Sequence, residues 1–223
     1  MAFGAILRSA DTATLFRVVL IAAVAYGVLA KLNPFLLAFA IVIERIVDGL
    51  DGYLARREAS GGKLGFMDYL RAALGNKALG KKVDSYRDRL KSIAPYGARI
   101  DIAGDRAVEY ILWVVFAYVH IVPLFVLIII IIRHSFVDAL MGSRGTSSRM
   151  KTRFAKVVYS GNFGRALINV PKVITFAYLA FVYIYGWPLW IGYVLIAVLV
   201  AAILLRGMAE TYEVMAGVDK ATI

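Results

Sequence analysis

Long apolar runs separated by short polar segments restrict this chain more than any other feature of its sequence. Hydrophobic residues make up 61% of the 223 positions, and the mean hydropathy is +0.74. Both values lie far above those of soluble domains. A helix needs roughly 20 residues to cross a bilayer, and the apolar runs have about that length. The sequence therefore predicts an all-α, polytopic membrane protein.

The breaks within the apolar runs indicate six transmembrane helices. Pro34 separates the first two spans, Pro123 separates the third from the fourth, and Gly186-Trp187-Pro188 divides the last run in two. The predicted spans cover about residues 14–30, 35–50, 97–121 and 123–141, and the two halves of 173–205. Apolar side chains at helical spacing over residues 3–10 add a short N-terminal interfacial helix.

Basic residues set the expected orientation. The chain has 26 Lys and Arg against 15 Asp and Glu, a net charge of +11. With six spans and both termini cytoplasmic, Lys31 is the only basic residue at the outer face, as the positive-inside rule predicts. A five-span topology loses this asymmetry. We assign the charge to orientation and to contacts with anionic lipid headgroups or phosphates, not to nucleic acid.

No removable signal peptide is expected before the first span. Cysteine is absent, which excludes disulfides and thiolate metal sites. We predict a single domain over residues 1–223 with two polar cytoplasmic segments. Residues 57–96 carry nine Lys and Arg against four acids and contain two short helix candidates, 67–74 and 83–93. Residues 142–172 are basic and contain no acid.

Four aspartates fall at matched helical spacings beside the polar segments. Asp48 and Asp51 are three residues apart, and Asp101 and Asp105 are four apart, so each pair shares one face of its helix. Two like charges about 4 Å apart repel by roughly 4 kcal/mol at an effective dielectric of 20. Hard divalent cations suit such oxygen ligands, and a pair of them can hold a phosphoryl group. The pattern predicts a site for two ions, Mg²⁺ or Mn²⁺.

Small residues accompany the aspartates. Gly52 and Ala55 continue the stripe of Asp48 and Asp51, and Gly97 begins that of Asp101. Residues without bulky side chains let a nucleotide or diphosphate approach the helix backbone closely. Arg56 follows directly and can pair with a phosphate through its fork of donors.

Taken together, Asp48-x2-Asp51-Gly52-x2-Ala55-Arg56 and Gly97-x3-Asp101-x3-Asp105 resemble the signature of the class I CDP-alcohol phosphatidyltransferases. That resemblance implies six membrane helices, with the signature on the second and third at the cytoplasmic side, and a homodimer. It implies metal binding by the four aspartates, with Asp105 also the catalytic base that deprotonates the acceptor alcohol. It implies release of CMP from a CDP-linked lipid held by Asp51, Gly52, Ala55, Arg56 and Gly97.

The chain departs from the family pattern in one place. The pattern has eight residues between the arginine and the second glycine, whereas 40 residues separate Arg56 from Gly97. Gly65 has the family spacing, but Tyr69 and Ala73 then replace the two aspartates. Residues 57–96 are therefore predicted to be an insertion, either a surface element against lipid headgroups or a partner, or a tolerated loop extension.

The acceptor alcohol is less well defined by the sequence. Thr14-Leu15-Phe16-Arg17 is similar to the branch that uses glycerol phosphate, the phosphatidylglycerophosphate and archaetidylglycerophosphate synthases. An anionic acceptor suits the basic residues after the fourth span, and Arg133, Arg165 and Lys156 are candidates to bind it. Inositol phosphate and serine are alternative acceptors, and the lipid is CDP-diacylglycerol or CDP-archaeol.

Two hypotheses from other functional classes are alternatives to an enzyme. Acidic residues inside membranes often mark ion pathways, so a divalent cation transporter is one alternative. It predicts acids at mid-bilayer depth, whereas these acids lie at the cytoplasmic ends of their helices. A membrane scaffold is the other, but scaffolding does not require four aligned aspartates.

Overall fold

The computed structural model describes residues 9–73, 76–93, 97–142 and 161–218, and every regular element within them is an α-helix. The prediction of an all-α chain is therefore confirmed for these residues. The interfacial helix predicted over residues 3–10 lies outside them, except for two positions that belong to α1. The helices are α1 Ser9–Leu29, α2 Pro34–Ala59, α3 Phe66–Ala73, α4 Lys77–Ile93, α5 Gly97–Tyr118, α6 Leu124–Gly142, α7 Gly161–Tyr185 and α8 Leu189–Val218.

Local sequence explains where the second helix begins and ends. Pro34 occupies its first position, where a missing N–H is harmless, and the Asn33 side chain accepts a hydrogen bond from the Phe35 N–H at 2.9 Å. Gly61 and Gly62 follow its last turn with φ of 66° and 82°. Glycine adopts this left-handed backbone without steric penalty, and the two N–H groups satisfy carbonyls of the last turn.

Among the described residues, three helices are long and apolar enough to cross a membrane by length and composition: α1, Ile168–Tyr185 of α7 and Leu189–Ala216 of α8. Helices α2 and α5 have 26 and 22 residues, but each carries several charged side chains, so composition alone does not identify them as spans. The six long helices of the described chain lie where spans are predicted. That all six cross the bilayer stays a prediction.

The chain divides into two compact units: unit 1 is Met1–Ala23 with Val42–Glu109, and unit 2 is Val24–Ile41 with Tyr110–Ile223. Helices α1, α2 and α5 each contribute residues to both units, and a single domain over residues 1–223 remains a prediction. In unit 2 the core is aromatic: the Phe176 ring lies 4.9 Å from that of Trp113 and 6.2 Å from that of Phe116. All three side chains are buried.

Large apolar side chains are also exposed along the long helices. Phe39, Phe136 and Trp190 are each more than 60% exposed. Apolar surface on this scale is typical of a protein that meets lipid or another protein. The exposed residues agree with the membrane location predicted from composition.

Inside unit 1, the predicted insertion is helical. The helix candidates 67–74 and 83–93 correspond to α3 and α4, although α4 starts six residues earlier than predicted, at Lys77. Asn76 accounts for this start, because its side-chain oxygen accepts a hydrogen bond from the Leu79 N–H at 3.2 Å, as a helix N-cap does.

Candidate functional site

A buried arginine lies at the centre of the predicted carboxylate site. Arg17 of α1 has a fully buried side chain and forms an ion pair of 2.6 Å with Asp48, one of 3.1 Å with Asp51 and one of 2.5 Å with Asp105. Its Nη1 lies 3.9 Å from Asp101. Helices α2 and α5 thus turn their aspartate faces toward the same guanidinium group. The spacing argument predicted that the two pairs would meet, and the structure brings them together.

A fifth acid joins the four aspartates. Arg17 Nε donates a hydrogen bond to Glu44 Oε1 at 2.9 Å. Arg45 donates two hydrogen bonds to the same carboxylate, at 2.7 and 2.6 Å, and one to Asp48 at 3.2 Å. Glu44 therefore links the two arginines. We call these five acids together with Arg17 and Arg45 the carboxylate cluster.

Negative charge is in excess within the carboxylate cluster. Taken by itself, the cluster of five carboxylates and two guanidiniums has a net charge of −3 if all of its groups are ionised. Ionised groups removed from water need such compensation. Divalent cations, which carry two charges each, would offset the excess.

Burial within the cluster is graded. The side-chain exposure is 0% for Arg17 and 11% for Asp51, but 41% for Asp105 and 53% for Asp101. One side of the cluster is therefore open, and a charged ligand can approach Asp101 and Asp105 without first unfolding the site.

The donor set fits a divalent cation. One carboxylate oxygen from each of Asp48, Asp51 and Asp101 lies within 4.8 Å of the others, and oxygen-only ligands suit Mg²⁺ or Mn²⁺. Arg17 Nη1 lies 2.6, 3.1 and 3.9 Å from carboxylate oxygens of the same three aspartates. An ion bound among them requires the guanidinium group to shift.

A close approach of two helices brings Arg17 to the aspartates. A Cβ built on Gly104 of α5 would collide with the methyl group of Thr14 on α1. Only glycine lets the helices meet at this point. Thr14 itself is held by a 3.2 Å hydrogen bond to the Ala10 carbonyl, one turn earlier.

The residues predicted to contact the CDP group lie on the same two helices. Gly52 and Ala55 are half-buried on α2, and Gly97 is the half-buried first residue of α5, four positions before Asp101. Arg56 Nη1 donates a hydrogen bond to the Gly52 carbonyl at 2.7 Å. The guanidinium group is thus held beside the glycine backbone, where a diphosphate is predicted to lie.

The residues predicted to bind the acceptor are less well described. Arg133 is buried in unit 2 and donates a 2.7 Å hydrogen bond to Glu210. Arg165 belongs to α7, but its side chain lies outside the described structure, as does the whole of Lys156. None of these contacts tests an acceptor role, which stays a prediction.

Sequence reasoning missed the central role of Arg17. The residue appeared only in a short stretch of family similarity, not as part of the site. The signal was nevertheless present, because an arginine inside an apolar span needs a counter-ion. Glu44, one turn before Asp48 on α2, pairs with both Arg45 and Arg17.

Comparison with protein-family models matches residues 7–70 to the family described as CDP-alcohol phosphatidyltransferase. The matched region contains Arg17 and the α2 half of the site, Asp48 to Arg56. It ends within the 57–96 segment, before Asp101 and Asp105. Searches of curated proteins and of solved structures found no match.

Proposed function

We propose that this chain, whose residues 7–70 match the CDP-alcohol phosphatidyltransferase family model, is a member of that family and transfers a phospholipid moiety from a CDP-activated lipid to glycerol phosphate. The family assigns it to the transferases and to phospholipid biosynthesis. The observation that carries the proposal is the meeting of Asp48, Asp51, Asp101 and Asp105 around one point, with ligand oxygens of the first three within 4.8 Å.

Two divalent cations, Mg²⁺ or Mn²⁺, are part of the proposal. Bound ions neutralise the phosphate oxygens and polarise the entering and leaving oxygens during phosphoryl transfer. The excess of negative charge in the carboxylate cluster supports this assignment. Asp48, Asp51, Asp101 and Asp105 would hold the ions, and Arg17 would keep Glu44 neutralised.

The remaining steps belong to side chains of the chain itself. Arg56 and the backbone at Gly52 bind and orient the diphosphate. Asp105, whose carboxylate is 41% exposed, takes the proton of the acceptor hydroxyl. The acceptor oxygen then forms a bond to the β-phosphorus, and the bond from that phosphorus to CMP breaks. Positioning and charge neutralisation supply most of such catalysis, and a carboxylate within reach suffices as base.

Release of CMP tests this function directly. Purified protein would be given CDP-diacylglycerol or CDP-archaeol, Mg²⁺ and one acceptor at a time: glycerol phosphate, inositol phosphate, serine or buffer. We expect CMP release with glycerol phosphate and its loss on addition of EDTA. If another acceptor releases CMP and glycerol phosphate does not, the acceptor assignment is wrong. If none does, while metal ions enter sealed vesicles without nucleotide, the transporter alternative is favoured.

We further propose that the site faces the cytoplasm, with both termini on that side. The basic residues of 57–96 support this orientation through the positive-inside rule. Because the chain has no cysteine, single cysteines report topology cleanly. Lys63→Cys, in the polar segment, should react with a membrane-impermeant maleimide only in inside-out vesicles. Leu32→Cys, in the α1–α2 turn, should react only in right-side-out vesicles, and the reverse pattern would overturn the orientation.

A homodimer is proposed from the family resemblance alone. Light scattering of the detergent-purified protein, corrected for bound detergent, should give twice the chain mass of 24.5 kDa. A mass of one chain across a range of protein concentrations would contradict the dimer without affecting the proposed chemistry.

A further inference from the structure

The 57–96 segment packs against α2 through an apolar core of its own. Tyr53, Leu64 and Val83 are buried in this core. Partly buried apolar residues from α2, α3 and α4 surround them: Leu54, Tyr69, Ala72 and Tyr86. Since the core draws residues from α2 and from both inserted helices, the segment is an integral part of unit 1 and differs from a loosely attached loop.

Polar contacts reinforce this attachment. The Tyr53 hydroxyl donates a 3.3 Å hydrogen bond to the Leu64 carbonyl, and the Leu64 N–H donates to Ser60 Oγ at 2.9 Å. The Tyr53 ring also packs edge-on against Phe66, with 5.3 Å between ring centroids. These contacts fix the start of α3 relative to the last turns of α2.

One result of this packing is that Tyr69 lies against Arg56. Arg56 Nη1 lies 3.4 Å from the Tyr69 hydroxyl oxygen, to which it donates, and the guanidinium carbon is 5.5 Å from the ring centroid. This distance suits a cation–π contact. A Cβ built on Gly52 would lie 3.3 Å from the Tyr69 hydroxyl. Tyr69 thus contacts Arg56 and lies beside Gly52, two residues predicted to contact the diphosphate.

Arg56 retains donor capacity in this arrangement. Its Nε is buried and has no hydrogen-bond partner within the described part of the chain. A guanidinium group offers five N–H donors in a planar fork that matches phosphate oxygens. A buried donor without a partner, beside a glycine backbone, points to an anionic ligand such as a diphosphate.

We propose that Tyr69 is a positioning residue of the nucleotide diphosphate site. It holds the Arg56 guanidinium group through its hydroxyl and its ring, so that the free donors of Arg56 meet the diphosphate with little loss of conformational entropy. Residues of the 57–96 segment thereby form one wall of this site. The inference rests on the proposed function and assigns a role to a region for which that function alone gives none.

Substitutions of Tyr69 should weaken CDP binding more than they slow turnover. Preorganisation of a binding group lowers the entropic cost of binding. Removing the hydroxyl with Tyr69→Phe should raise the KM for CDP-diacylglycerol about threefold, as expected for one modest hydrogen bond. Removing the ring as well with Tyr69→Leu should raise it roughly tenfold or more. The kcat should stay within about twofold, because neither change touches the acceptor or its base.

The experiment compares matched variants of the full chain. Tyr86→Phe and Tyr86→Leu serve as controls, since Tyr86 packs against the same core from α4. For each variant we would measure KM and kcat from CMP release, the Kd of CDP by equilibrium dialysis with Mg²⁺, and the melting temperature. We expect the Tyr69 variants to weaken CDP binding and the Tyr86 variants, at a similar melting temperature, to bind CDP as the wild type does.

A double-mutant cycle gives a second test. In an Arg56→Lys background, Tyr69→Leu should have little further effect on the Kd of CDP, since the positioned group is already changed. The inference is wrong if Tyr69→Leu weakens CDP binding no more than Tyr86→Leu does. It is also wrong if Tyr69→Leu has the same effect in the wild-type and the Arg56→Lys backgrounds, and in either case the proposed function stands. If the wild type neither binds CDP nor releases CMP from any CDP-lipid, both fail together.

Discussion

The carboxylate cluster of unit 1 and a group of buried charges in unit 2 differ in composition and exposure. The carboxylate cluster of unit 1 gathers five acids around Arg17 and Arg45, and two of its aspartates are about half-exposed. In unit 2, Glu210 accepts from Arg133 at 2.7 Å and from Arg206 at 3.4 Å, and the side chains of Arg133 and Glu210 are at least 92% buried.

The difference separates a candidate site from a structural contact. The unit 2 group, two arginines on one buried glutamate, has no excess of negative charge that a cation would offset. A cluster with an excess of negative charge and an open side attracts cations. On these grounds we place the reaction in unit 1, and we expect the Arg133–Glu210 pair to act mainly in packing α6 against α8.

The largest expected effect is a loss of turnover, without loss of stability, on substitution of Asp105. Asp105→Asn removes the proposed base and should lower CMP release by about 100-fold to 10,000-fold. It should keep Mn²⁺ and CDP-lipid binding and the melting temperature. Glu210→Gln, the matched change in unit 2, should lower the melting temperature and leave the kcat of the folded protein within about threefold. Wild-type activity of Asp105→Asn would exclude it as the base.

Removal of Arg17 should destabilise the protein most when no divalent ion is present. Arg17→Ala leaves the buried Glu44 and Asp51 without this partner, and loss of one partner from a buried ion pair costs about 3–5 kcal/mol. Mg²⁺ should reduce the difference in unfolding free energy between Arg17→Ala and the wild type, because it neutralises the same aspartates. Thermal unfolding of Arg17→Ala and Arg17→Lys, with EDTA or with Mg²⁺, measures this. A loss that is the same in both conditions would show that Arg17 and the ions act on different groups.

The Arg133–Glu210 pair should behave as a coupled structural contact. Arg133→Met and Glu210→Leu should each cost about 1–3 kcal/mol of stability, and the double variant should cost less than their sum. The same double variant tests the predicted acceptor role of Arg133. If the double variant is well folded and its KM for glycerol phosphate is strongly raised, the result would support the predicted role of Arg133 in binding the acceptor.

The smallest effects are expected for substitutions of glycines on α2, α5 and α8. Gly104→Ala forces α5 away from Thr14 and should cost about 1–3 kcal/mol. Gly207→Ala places its Cβ 2.7 Å from Arg133 Nε, and the flexible arginine can shift, so the cost should be less. Gly49→Ala meets nothing within 4 Å and should be neutral or slightly stabilising. Equal melting temperatures for the Gly104 and Gly49 variants would argue against a tight α1–α5 contact.

The sequence pattern predicted most of the helices of the described chain. Apolar run length and the positions of Pro34, Pro123 and Gly186 located the six long helices of the described chain, because backbone satisfaction and apolar burial in a bilayer depend on local sequence. The inserted helices were also anticipated, although the N-cap at Asn76 moved the start of α4. Crossing of the bilayer by all six long helices stays a prediction.

The sequence by itself determined which residues could act. The spacing of Asp48, Asp51, Asp101 and Asp105 put each pair on one helix face, and their chemistry predicted a site for divalent cations. Only the tertiary structure decided that Arg17 lies among these acids and that Tyr69 reaches Arg56. Both contacts join residues distant in the chain, and they depend on how side chains from separate helices pack, which no local spacing encodes.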